Sequence, residues 1–170
     1  MAPKGASFLY ATKDVQKWLD PLVVRWGYNP DPGFGSGNSF IDYHEWQGTR
    51  DIAAFLTVPA AIEFMAANRW DHVRNECHQL ALQTRQRIQN LTGLPPICPE
   101  SAGWFHQMFA TPLPDIDLEV LKKRLYAEYQ IEIPMIQWNG QKFIRVSIQG
   151  YNTPQDLDSL VYALSEILDA

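Results

Sequence analysis

A guanidinium offers two parallel N–H donors in one plane, a geometry that matches a carboxylate and that a lysine ammonium does not reproduce. The sequence places such a group, Arg145, within a run of strong β pattern, Gln141 to Gln149. Taken alone, its plainer reading is a strand arginine with its head in water, because charged side chains are normally exposed. A second candidate is Gly48-Thr49, just ahead of an apolar helical pattern, where free N–H groups and the helix dipole favour an anion and a hydroxyl adds a donor. Its plainer reading is an N-cap threonine.

Other clusters carry less. Asp42-Tyr43-His44-Glu45 lacks the H-E-x-x-H spacing of a zinc helix, and His72 and His78 fall on different helix faces, so no metal site is expected. Gly33-x-Gly35-x-Gly37 opens no helix and is not a dinucleotide loop. Asn90-Leu91-Thr92 matches a glycosylation sequon without any secretory signal. Cys77 lies on the apolar side of a helical pattern and Cys98 in a Pro-rich loop, so both are read as reduced thiols.

The elements that must position Arg145 are the most legible part of the chain. Asn139-Gly140, the dipeptide preferred in a type I′ turn, separates Ile131–Trp138 from Gln141–Gln149. Pairing Trp138 with Gln141 sets Met135 against Ile144, Ile133 against Val146 and Ile131 against Ile148, so six aliphatic residues share one face. Arg145 then shares the opposite face with Pro134, Ile136, Trp138, Phe143 and Ser147. A final helix opens at Thr153-Pro154 with Asp156 in the capping-box position, and its apolar stripe should cover the hairpin.

Upstream, the spacing predicts a helix over about Trp70–Leu91, stopped by Gly93 and Pro95-Pro96, and another from Asp117 to about Tyr129. Strands are expected at Ala6–Ala11 and Phe105–Ala110, and a helical turn or two at Asp14–Leu19. Thr49 is expected to open a helix that Pro59 interrupts. The stretch from Trp26 to Gly48 is read as a long irregular loop, ordered by its aromatics. The order of strand, helix, hairpin and helix describes an α+β fold, a small antiparallel sheet covered by helices.

The formal charge of −5 and pI near 5.3 leave no general attraction for nucleic acid or anionic lipid. No apolar run reaches the roughly 20 residues of a membrane span, and no secretory stretch opens the chain, so a cytoplasmic location is expected.

Three stretches, in order, resemble landmarks of the class V aminotransferase family, pyridoxal-phosphate enzymes of fold type I, and especially its isopenicillin N epimerase-like members. They are Met1-Ala2-Pro3-Lys4-Gly5-Ala6-Ser7-Phe8-Leu9-Tyr10, Trp46-Gln47-Gly48-Thr49-Arg50-Asp51, and Arg145-Val146-Ser147 followed by Tyr151-Asn152-Thr153. The resemblance covers essentially the whole chain and implies a C-terminal portion, with residues 1–50 the distal segment of the cofactor-binding large domain and residues 51–170 the small domain with its linking helix. It also implies that Gly48 and Thr49 contact the phosphate of pyridoxal 5'-phosphate in a neighbouring subunit, and that Arg145, with Arg50 as a second substrate-side residue, binds the amino-acid carboxylate. Lys4 follows the position of the cofactor lysine and does not occupy it.

The resemblance therefore implies a part of an epimerase or aminotransferase that is inactive alone, partnered by the upstream half of the enzyme or a second subunit, and homodimeric when complete. The alternative is a non-catalytic dimerisation or interaction module derived from the same fold.

Overall fold

The computed structural model describes residues 2–29, 33–45 and 48–168. The chain divides into two compact units, Met1–Ala67 and Asn68–Ala170.

The first unit is built from short helices: α1 (Lys13–Gln16), α2 (Ser39–Glu45), α3 (Ala53–Leu56) and α4 (Val58–Ala67). Residues 6–11, expected as a strand, pair with no other segment among the described residues, and Phe8 is 90% exposed. A strand satisfies its backbone only through a neighbour, and these residues have none here. The stretch expected to be irregular instead contains α2. Its start is capped by Asn38, whose Oδ1 accepts the Phe40 N–H at 3.0 Å, and the buried Asp42 carboxylate accepts the Ser36 N–H at 2.9 Å. Asn is among the strongest N-caps.

Thr49 does not open a helix, contrary to expectation. The next helix, α3, begins at Ala53, and the side chain ahead of it that accepts a backbone N–H is Asp51, whose Oδ1 takes the Ala53 N–H at 2.8 Å. An aspartate serves this role at least as well as threonine. The break between α3 and α4 falls at Thr57, and Pro59 occupies the second position of α4, where a missing N–H forfeits no intrahelical bond.

The second unit holds the hydrophobic core. Helix α5 (Trp70–Thr92) ends at Gly93, in the left-handed region at φ 66°, whose N–H donates to Gln89 O at 2.8 Å. Strand β1 (Met108–Leu113), helix α6 (Leu118–Tyr129), strands β2 (Met135–Trp138) and β3 (Gln141–Ser147), and helix α7 (Pro154–Leu168) follow. β1 starts three residues later than expected, because Ser101 O accepts N–H bonds from Trp104 and Phe105 and closes a turn there.

The sheet order is β1-β3-β2, all antiparallel. Asn139 and Gly140 have φ of 49° and 75°, as a type I′ turn requires, and Trp138 pairs with Gln141 and Met135 with Ile144 as anticipated. Formal pairing of β2 stops at Met135, but Arg145 N–H still donates to Pro134 O at 3.0 Å. Ile144, Val146 and Ile148 bury one face of the sheet in a cluster with Leu121, Leu125, Leu160 and Leu164 from α6 and α7 and Ala81 and Ile88 from α5. Each of these Leu, Ile and Val side chains contributes about 1.5–3 kcal/mol by leaving water.

Caps fix the helices on this layer. Asp117 Oδ1 accepts N–H bonds from Glu119 and Val120 at 2.9 and 3.1 Å. Thr153 and Asp156 form a reciprocal pair, Thr153 N–H to Asp156 Oδ2 at 2.8 Å and Asp156 N–H to Thr153 Oγ1 at 3.4 Å. The backbone bond from Thr153 holds the Asp156 carboxyl below its ordinary value. Between β3 and α7, a Cβ on Gly150 would lie 2.9 Å from Val73 Cγ1 and 3.6 Å from the Trp70 ring, so the turn rests directly on α5.

Thr111 is one of the few polar residues in this core. It pairs with Ile144, is 1% exposed, and its Oγ1 has no hydrogen-bond partner among the described residues. Valine keeps the branched shape and removes the stranded hydroxyl. Thr111→Val is therefore expected to raise the unfolding free energy by about 1 kcal/mol in urea titration; a lower midpoint would show that the hydroxyl is satisfied.

Candidate functional site

Arg145 sits on the central strand, and strand alternation sets its direction. Ile144 and Val146 point into the helix-covered core, so Phe143, Arg145 and Ser147 occupy the other face. Across the sheet Arg145 is paired with Ala110 of β1, and on its other side its backbone meets Pro134. The side chain is half-buried, its Nε is buried without a hydrogen-bond partner, and it makes no ion pair among the described residues. A buried cationic donor with no acceptor is costly, so the geometry suits an anion from outside these residues.

The surroundings sharpen that preference. Phe143, two residues along the strand, is 5% exposed yet stands outside the core cluster, and its β2 partner Ile136 shares its face with Trp138. Apolar neighbours lower the local dielectric and strengthen a charged contact. Arg145 and Ser147 also enter the wall of a cleft of about 460 Å³ at the sheet edge, between the α6–β2 connection and the start of α7, which Tyr129 and Asn152 share with two carboxylates, Glu132 and Asp156.

Gly48, Thr49 and Arg50 belong to the first unit and Arg145 to the second. Trp46 and Gln47 lie outside the described residues. Gly48 takes φ +92°, and a Cβ there would touch Trp26 Cδ1 at 3.4 Å, so both backbone conformation and space favour glycine. Thr49 is exposed, and the Arg50 guanidinium stands 4.8 Å from the centre of the Phe55 ring. These residues form an irregular segment bent at Thr49, ahead of a four-residue helix and not at the helix start expected, so any anion contact here rests on the segment's N–H groups and the Thr49 hydroxyl.

One strongly placed residue was not legible in the sequence. Arg85 on α5 is 1% exposed. It donates to Cys98 O and, at 3.4 Å, to Pro99 O, and stacks 5.0 Å from the Phe105 ring centre. It serves the loop after α5, not a ligand. His78 is likewise structural, with Nδ1 3.0 Å from His106 O and its ring edge-on to Phe105. Burial pushes the Cys77 thiol up, away from a reactive thiolate. Among the described residues no group of three His, Cys, Asp or Glu could hold a metal ion, and no helix is long and apolar enough to cross a membrane.

Comparison with known proteins bears on this geometry. The aminotransferase class-V family model matches residues 1–160. Isopenicillin N epimerase from Amycolatopsis lactamdurans is 35% identical over 176 residues, covering 98% of this chain and 44% of the relative. Among solved structures, the cysteine desulfurase CsdA from Escherichia coli aligns at TM-score 0.55 and 22% identity, over 72% of this chain and 32% of that one. A NifS-like protein aligns at TM-score 0.58 and 20% identity, over 89% and 39%. At those identities the likeness shows the fold, that of pyridoxal-phosphate enzymes of fold type I. The chain spans less than half the length of these relatives. The family is pyridoxal-phosphate-dependent, and with a model match across nearly its whole length, this chain belongs to the class-V aminotransferases.

Proposed function

We propose that this chain contributes the substrate-carboxylate clamp and a phosphate contact to a pyridoxal-phosphate enzyme acting on an amino acid, of the isopenicillin N epimerase kind. The observation that carries the reading is Arg145: a half-buried guanidinium with a buried, unpartnered Nε, beside an apolar wall and aimed away from the core. Its planar fork holds a carboxylate by two parallel bonds and orients the α-carbon that it bears. Phe143, buried two residues along the same strand, keeps water from one side of that contact.

The residues present fit part of the cofactor. Gly48 in its left-handed conformation and the exposed Thr49 hydroxyl offer donors of the kind a phosphate takes, reaching the cofactor of a neighbouring subunit. Arg50 is the second substrate-side residue of this reading. When bound, pyridoxal phosphate supplies an electron sink for the bonds of the α-carbon. No lysine here stands at the family's cofactor-lysine position, so the chain turns nothing over alone. Residues 1–50 belong in this reading to the large domain and residues 51–170 to the small one. The complete assembly is a cytoplasmic homodimer.

The exposed apolar side chains of the first unit, among them Phe8, Trp18, Leu22 and Phe34, fit a surface completed by other polypeptide. Co-expression with the upstream portion of a full-length relative is the test. The pair is expected to copurify and show the visible absorption of bound cofactor, which the 170-residue chain alone lacks. A stable dimer indifferent to both that portion and the cofactor would instead establish the non-catalytic module.

A further inference from the structure

We infer that Ala110 and Pro134, the residues flanking Arg145 on either side in the sheet, set the size of the carboxylate ligand that Arg145 admits. The inference rests on the clamp reading above and extends it from which residue binds to which ligands fit.

Residues paired across antiparallel strands share a face, with Cβ atoms about 4.5–5.5 Å apart. Ala110 is the direct partner of Arg145, and Pro134 O accepts the Arg145 N–H from the other side. Neither side chain can accept a hydrogen bond, and both are short. The Arg145 side chain therefore leaves the sheet between two short neighbours, with Phe143 and Ser147 next on the same face of its own strand. Because β1 and β2 are the two edge strands, no further strand lies beyond either flank, and the Pro134 side gives onto the cleft at the start of α7.

Local preference argues that these residues are not there for the strand. Alanine is a weak strand former, and proline gives up a ladder donor and is confined to sheet edges. Formal pairing of β2 stops one residue after Pro134, at Met135, while β1 and β3 stay in register along six pairs. Where two residues poorly suited to a sheet flank the one cation on its central face, the broken rule marks a ligand-facing site. A β-branched or longer residue at either position would suit the strand better and would crowd the space beside the Arg145 side chain.

The test reads Arg145 directly. In the ¹⁵N-labelled 170-residue chain, the Nε–H resonance of Arg145 is assigned by its loss in Arg145→Lys and followed during titration with sodium acetate and then with 3,3-dimethylbutyrate. Both ligands are expected to shift it in the unaltered chain. In Ala110→Leu, acetate should act as before, whereas the bulky carboxylate should need at least about tenfold more ligand for the same shift, an effect of about 1.4 kcal/mol. Pro134→Leu, at an exposed edge position, reads the other flank and decides the matter if the first variant loses its dispersed amide spectrum. If folded variants bind both carboxylates as the unaltered chain does, the two flanks have no selecting role although the clamp stands. Failure of acetate to shift the resonance in the unaltered chain overturns both.

Discussion

Arg145→Lys, in the enzyme assembled with its upstream portion, is expected to lower kcat/KM for the amino-acid substrate by about 10²-fold while leaving cofactor absorption unchanged. Lysine keeps the charge but loses the planar fork, so one charge-assisted bond goes and the other is redirected. Such bonds contribute about 1.5–3 kcal/mol each, and 1.36 kcal/mol corresponds to tenfold in rate. The strand around Arg145 is held by Ile144 and Val146 in the core, so the fold should survive. A variant with unaltered kinetics would show that the carboxylate is bound elsewhere.

Arg85→Met should cost the second unit about 2 kcal/mol, seen as a fall in melting temperature of about 10 °C for a domain of this size. Methionine fills much of the arginine's volume but leaves the carbonyls of Cys98 and Pro99 without the donors they have now. The half-buried Cys98 carbonyl left without a donor costs about 1–3 kcal/mol, the carbonyl of the exposed Pro99 can turn to water, and the contact with Phe105 is lost as well. Release from the desolvated guanidinium offsets part of this. Amides of residues 94–105 should lose hydrogen-exchange protection ahead of the rest. Equal melting temperatures would mean that the loop is held by its apolar contacts alone.

The parts of the fold legible in the sequence were those decided by local chemistry. Asn139-Gly140 dictates its turn, the turn dictates register, and register dictates that Arg145 faces away from the core. Helices α5, α6 and α7 follow from stripes bounded by Gly93, Asp117 and Thr153-Pro154, which are present as caps in the structure. What failed depended on partners or on competition between neighbours. Residues 6–11 have a strand's composition, but a strand needs another strand. Thr49 is a suitable cap, yet Asp51 two residues later takes that role nearer the first apolar turn. Asn38 opens a helix that the surrounding glycines and prolines disguised.

The face of Arg145 was therefore readable, but its depth was not. Arg85 and Arg145 are the same residue type in apolar company, and only the acceptors contributed by a distant loop separate the satisfied one from the unsatisfied one. The flank at Ala110 was missed because the strand expected at Phe105–Ala110 came with no signal of its partner or register, which the pairing of Met108–Leu113 with β3 supplies. Phe143, expected on the same outer face, turned out to be buried there.

The contact at Gly150 ties together positions far apart in the chain. With Val73 Cγ1 2.9 Å from where a Cβ would stand and the Trp70 ring just beyond, a methyl group at 150 is admissible only if the Val73 side chain turns aside or is replaced by a smaller one. Through evolutionary time these sites are not free to drift singly. Lineages in which position 150 acquires a side chain are expected to show a compensating change at 73, either a smaller residue or one that turns away from the β3–α7 turn.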